Sequence, residues 1–156
     1  MTPDRIGLLW ATWFGCGYFP KGPGTAGSIG ALLVAWPLVC FANWPPIAFV
    51  ALALALLLPS IWASDVAIRV SGNKDPQFVV VDEVLGQWIT LGGALTHSWR
   101  SWLLALLLFR LFDIWKPPPV RQLERLRGGV GVMADDCMAG VYGFIVLYAA
   151  ARAGIV

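Results

Sequence analysis

No charged residue interrupts the chain between Gly22 and Ser64, an interval of 43 residues. A membrane-spanning helix needs about 20 predominantly apolar residues, so this interval predicts two helices and a turn. The turn is written at NWPP, residues 43–46, because proline lacks the donor a helix interior uses and pushes the residue before it out of the helical region. The first span is expected at Thr25–Phe41 and the second at Pro46–Ala63. Two more apolar stretches follow: Phe78–Thr96, broken by Asp82 and Glu83 near its start, and Trp99–Trp115, broken by Arg100, Arg110 and Asp113. The uncharged run Cys137–Ala151 predicts a fifth span, with Asp135 and Asp136 at its threshold. Near the N-terminus, LLWATWFGCGYFPKGPG is too broken by glycine for a signal peptide and lacks a small-residue cleavage site. It predicts a loop or interfacial segment, whose Trp10, Trp13, Phe14, Tyr18 and Phe19 suit the lipid headgroup layer.

Composition agrees with five spans. Hydrophobic residues make up 58% of the 156 and charged residues 13%, with a mean hydropathy of +0.72, far from a soluble domain. The expected fold is an all-α integral membrane helical bundle, a single domain over residues 1–156, with no room for a soluble domain. Lys and Arg fix the expected orientation. Arg5 and Lys21, then Arg69 and Lys74, then Lys116, Arg121, Arg125 and Arg127 occupy alternate loops, while the other two loops are nearly bare. By the positive-inside tendency the richer loops are cytoplasmic. The glycine-rich stretch and all three acidic motifs then fall at one membrane face, and seven of the nine acidic residues lie between Asp75 and Asp136.

Each constellation has a plain structural reading beside a chemical one. In FPKGPGTAGS, residues 19–28, glycines permit tight turns, Thr25 can cap the next helix, and free N–H groups with Lys21 attract an anion. The lysine precedes the glycines, unlike a P-loop. Asp82 and Glu83 either open a solvated helix or face a partner or metal, since a charge inside an apolar span costs a few kcal/mol. Arg110, Asp113 and Lys116 recur every third residue and share a helix face, either neutralising one another or aiming Asp113 and Lys116 at an anion. Asp135 and Asp136 could serve a helix dipole worth about 0.3–1 kcal/mol, for which one carboxylate suffices. Two side by side repel, and a hard divalent cation would relieve them. No His or Cys cluster accompanies these acids, which favours Mg²⁺ over Zn²⁺. Cys16, Cys40 and Cys137 lack metal-ligand spacing, His97 lies alone on the opposite loop, and nucleic-acid binding is not indicated. Acids, a hard cation and neighbouring lysines at one membrane face suit a phosphorylated lipid.

PGTAGS, VVVDEVLGQWIT, FRLFDIWKPPPV and GGVGVMADDCMAGV, in this order, closely resemble the phosphatidylglycerophosphatase A family across roughly residues 14–143. The resemblance implies a Mg²⁺-dependent phosphatase of the bacterial cytoplasmic membrane that converts phosphatidylglycerophosphate to phosphatidylglycerol, with its site facing the cytoplasm. Carried over by motif, Asp82, Glu83, Asp113, Lys116, Asp135 and Asp136 are the expected catalytic residues. Asp82, Glu83, Asp135 and Asp136 are the expected metal ligands, and Lys21, Gly24 and Thr25 are expected to meet the phosphate. Asp75 is similar to the family pattern as well. A lipid phosphotransferase would use the same cation and clustered aspartates, but its longer spaced aspartate signature is missing. A small transporter would line a route through the bilayer, whereas these acids gather at one face. A lipid-binding scaffold would need the basic residues and not five acids.

Overall fold

A computed structural model describes residues 2–156. Among these the fold is all-α: helices α1 (Pro3–Ala11), α2 (Pro23–Ala42), α3 (Ala48–Ser71), α4 (Val81–Leu91), α5 (Trp99–Trp115), α6 (Val120–Leu123) and α7 (Gly128–Arg152). Three of them, α2, α3 and α7, are long and apolar enough to cross a membrane, and α5, at 17 residues, reaches the lower end of the spanning range of about 17–25. The turn expected at NWPP is there: α2 ends on Asn43 in the left-handed conformation, and the prolines precede α3. Helix α3 runs on past Ala63 to Gly72, whose φ of +68° is the usual glycine stop.

The third expected span is different in kind. Helix α4 has only 11 residues, about 16 Å of rise, against a hydrocarbon core of about 30 Å. The chain nonetheless reaches the far end of the bundle without a helix, where His97 Nε2 lies 2.8 Å from the Trp44 carbonyl in the α2–α3 turn. Non-helical backbone at membrane depth is tolerated only inside protein, because lipid cannot satisfy its N–H and C=O groups. Every residue from Val84 to Ala94 is accordingly buried. Trp88 Nε1 donates to the Ala31 carbonyl of α2 at 2.9 Å, Gly92 abuts Val50 of α3, and Gly86 abuts Phe109 of α5 and the α7 backbone. The apolar run at 78–96 is therefore apolar because helices surround it, a distinction that hydropathy does not make.

Two other expectations change. The N-terminal segment expected as loop or interfacial is helical where it begins and loop thereafter: Thr2 caps α1, which lies antiparallel along α3, with Gly7 against Val66, Trp10 Nε1 donating to Ser60 Oγ at 3.0 Å, and an Asp4–Arg69 ion pair, while residues 12–22 form turns. The last span starts at Gly128, nine residues before Cys137. Asp135 and Asp136 thus sit two turns inside α7, beyond the first turn where a helix dipole acts, and that first turn holds no acid. Asp65 of α3 caps α7 instead, its Oδ1 accepting from the Gly129 N–H at 2.6 Å. The N-termini of α2, α4 and α7 and the C-termini of α3 and α5 meet at one end of the bundle, as the loop charges predicted.

Candidate active site

The first turn of α4 carries Asp82 and Glu83, whose Cα–Cβ bonds leave the helix about 100° apart while their carboxylates come back together at one point. The start of the helix is fixed by a backbone bond from Val80 N–H to the Ala11 carbonyl, 2.9 Å. Asp136 joins them from α7: one carboxylate oxygen from each of Asp82, Glu83 and Asp136 lies within 4.8 Å of the others. This approach depends on glycines. A Cβ at Gly86 would stand 2.7 Å from the Asp136 carbonyl and 2.3 Å from the Phe109 ring, and a Cβ at Gly140 would stand 2.6 Å from the Gly86 carbonyl. Helices in a membrane pack through such small residues because lipid tails offer no hydrophobic drive to squeeze them together. Gly24 does the same for α2: a Cβ there would fall 2.2 Å from Glu83 Oε1 and 3.0 Å from Arg110 Nη1.

Asp82 Oδ1 and Glu83 Oε2 are buried without a hydrogen-bond partner, as are both amide atoms of Gln87, one turn deeper on α4. Uncompensated buried carboxylates cost several kcal/mol each. The Asp82, Glu83 and Asp136 carboxylates around one point, with no His or Cys among them, form a set of hard oxygen donors that fits a divalent cation such as Mg²⁺.

Positive charge is arranged around this cluster. Arg110 and Asp113 pair at 2.6 Å, as their spacing suggested, and Arg110 also borders Glu83 beside Gly24. Lys116 does not share their helix face. It lies past the end of α5 with φ +48°, a left-handed backbone that costs a non-glycine residue roughly 1–2 kcal/mol. Its ammonium is held by Asp135 Oδ2 at 2.9 Å and Glu124 Oε1 at 3.3 Å. Burial pulls its pKa down, but the bond to Asp135 and the charges of Asp135 and Glu124 outweigh that and raise it above the ordinary lysine range. Asp135 is thereby engaged with Lys116 and stands outside the carboxylate triplet, although it was expected as a metal ligand. The 100° turn between neighbours separates it from Asp136.

These groups open onto a cavity of about 570 Å³ that includes Gly24, Asp82, Glu83, Asp113, Lys116, Asp135 and Asp136. Lys21 and Thr25 are not brought to it: both are exposed, neither lines the cavity, and Thr25 sits inside the first turn of α2 rather than capping it. Asp75 does line it, together with Lys74, Glu124 and Arg125. Lys74 and Arg125 carried no site signal in the sequence beyond their loop charge. His97 lies at the opposite end of the bundle, and Cys16, Cys40 and Cys137 are free thiols.

The sequence profile described as Phosphatidylglycerophosphatase A matches residues 9–151. The chain belongs to the phosphatidylglycerophosphatase A family. All the cavity residues fall inside the matched region. Two phosphatidylglycerophosphatase A proteins are 35% identical to it: that of Escherichia coli over 144 residues, covering 90% of this chain and 80% of that protein, and that of Haemophilus influenzae over 142 residues, covering 90% and 86%. A Bacteroides thetaiotaomicron protein described as a candidate phosphatidylinositol-3-phosphatase is 39% identical over 149 residues, covering 93% of each chain. No solved structure matches.

Proposed function

We propose that this chain is a Mg²⁺-dependent lipid phosphomonoesterase that hydrolyses phosphatidylglycerophosphate to phosphatidylglycerol and inorganic phosphate. It acts as one membrane-embedded domain, at the cytoplasmic face of a bacterial inner membrane. The single observation that carries the reading is the convergence of Asp82, Glu83 and Asp136 beside a clamped Lys116, in a cavity at the charged end of a membrane bundle. Its membership of the family, and the names of its Escherichia coli and Haemophilus influenzae relatives, supply the substrate.

Asp82, Glu83 and Asp136 would hold the cation, which when bound supplies Lewis-acid neutralisation of phosphate oxygens. The chain's own residues do the rest. Lys116, kept protonated and fixed by Asp135 and Glu124, stabilises negative charge developing on the phosphoryl oxygens. Lys74 and Arg125 at the cavity wall draw the dianion in. Arg110 holds Asp113 and, by bordering Glu83, limits where that carboxylate can swing. In hydrolysis the ester P–O bond breaks, a water oxygen bonds to phosphorus, and a proton goes to the departing glycerol oxygen. A carboxylate orients that water or attacks phosphorus first, and trapping a labelled enzyme intermediate separates the two routes.

The Bacteroides relative favours a second reading, in which the lipid carries its phosphate at the 3-position of inositol. The site chemistry is the same phosphomonoester cleavage. Purified protein in detergent, offered phosphatidylglycerophosphate and phosphatidylinositol 3-phosphate separately, is expected to release phosphate faster from the first. Faster release from the second would transfer the assignment.

A further inference from the structure

Beside the acidic cavity lies a second hollow of about 470 Å³, walled by residues 17–20 on one side and by Ser71, Asn73 and residues 76–78 on the other. Pro23, Pro76 and Gln77 line both, so the two spaces adjoin. Their chemistry differs sharply. Carboxylates and cations crowd the first, whereas no charged side chain lines the second, which offers Tyr18, Phe19 and Phe78 with the neutral polar groups of Ser71, Asn73 and Gln77.

The aromatic wall is rigidly built. Trp13, Phe14 and Gly15 take three consecutive left-handed conformations, with φ of 46°, 56° and 100°. For the first two that is strain of the kind that persists where surrounding structure holds it and that gathers at ligand clamps. Trp13 is the anchor: it is buried, with its ring edge-on to Trp88 of α4 at 5.4 Å, so the loop is tied to the helix that carries Asp82 and Glu83. Gly17 lies so close to the Phe78 carbonyl that a Cβ there would fall 1.8 Å from it, and the Tyr18 and Phe78 rings lie 5.9 Å apart. Tyr18 and Phe19 nevertheless remain 65% and 59% exposed. Exposed aromatics at the ends of spanning helices belong at headgroup level. In a phospholipid, that is the depth of the glycerol backbone with its esters and first acyl carbons.

We infer that this groove is the subsite for the glycerol-ester backbone of the phospholipid whose terminal phosphate enters the acidic cavity. This rests on the proposed lipid phosphatase activity. An uncharged wall of rings, prolines and amides suits ester and methylene groups and gives nothing to a second phosphate. The subsite makes the enzyme choose a membrane-anchored phosphomonoester over a soluble one of the same headgroup.

The test compares phosphatidylglycerophosphate with its deacylated, water-soluble counterpart, both presented to full-length protein in the same detergent. Tyr18→Ser and Phe19→Ser, combined, are expected to raise KM for the acylated substrate about tenfold, with kcat held within about twofold. Turnover of the deacylated substrate is expected to change by less than about twofold, which also reports an intact fold. Equal losses on both substrates, or no change on the acylated one, overturn the subsite. Unmodified protein that releases phosphate from neither substrate overturns the activity itself, and the inference with it.

Discussion

Asp135 and Asp136 are adjacent in sequence and have separate partners in the fold. Asp136 turns to Asp82 and Glu83, and Asp135 to Lys116. The acidic motifs were legible in the sequence because charge inside an apolar run demands compensation. The division of labour was not, because it depends on which neighbouring helix lies at each rotation of α7. The same limit explains Lys21 and Lys74: both are loop lysines in the sequence, and only the path of the backbone brings Lys74 to the cavity wall. At Lys116 the left-handed backbone gives a prediction that separates chemistry from stability. Lys116→Ala and Lys116→Gly should both lower phosphate release at least about a hundredfold, the scale of losing one stabilising group. The glycine variant should be the more stable of the two by about 1 kcal/mol, because glycine takes φ > 0 freely. Thermal melting of the pair checks this, and equal melting temperatures would deny strain at residue 116.

Helix α4 is where hydropathy misled, and physical chemistry explains why. A helix facing lipid and a helix enclosed by protein are equally apolar, so Phe78–Thr96 read as a span when it is a short helix with a buried, irregular exit. Glycines were the available signal, since Gly86, Gly92 and Gly93 each admit a neighbouring helix too closely for a Cβ. They also define the prediction at this scale. Gly86→Ala places a methyl against the Phe109 ring and the α7 backbone, and overpacking of this sort costs typically 1–3 kcal/mol, so both melting temperature and activity should fall. Gly24→Ala meets the ends of the Glu83 and Arg110 side chains rather than backbone, and these give way more readily than a packed helix. It should lose activity, and bound-cation affinity measured by titration, with little loss of stability. Equal destabilisation by both variants would mean that Gly24 serves packing alone.

As a whole molecule, the chain makes five passages between the two ends of one bundle, four by long helices and one by α4 with its flanking segments. Five passages were legible from hydropathy and loop charge, although the third is no ordinary span and the last turn of α1 fell within a segment expected as loop or interfacial. Because the passages alternate in direction, the N-termini of α2, α4 and α7 meet the C-termini of α3 and α5. A cysteine-less protein given a single cysteine at Asn73 should react with a membrane-impermeant thiol reagent only from the cytoplasmic side, and one at Thr96 only from the opposite side. The reverse pattern would place the acidic cavity outside the cytoplasm.

Phosphate release from phosphatidylglycerophosphate by purified protein, with Mg²⁺ and then with EDTA, tests the metal-assisted site most directly when Asp136→Asn and Glu83→Gln are run beside the unmodified chain. The acidic triplet predicts release with Mg²⁺, none in EDTA, and none from either variant at an unchanged or higher melting temperature, since each substitution relieves repulsion among buried carboxylates. Full activity in EDTA, or normal turnover by both variants, would contradict it.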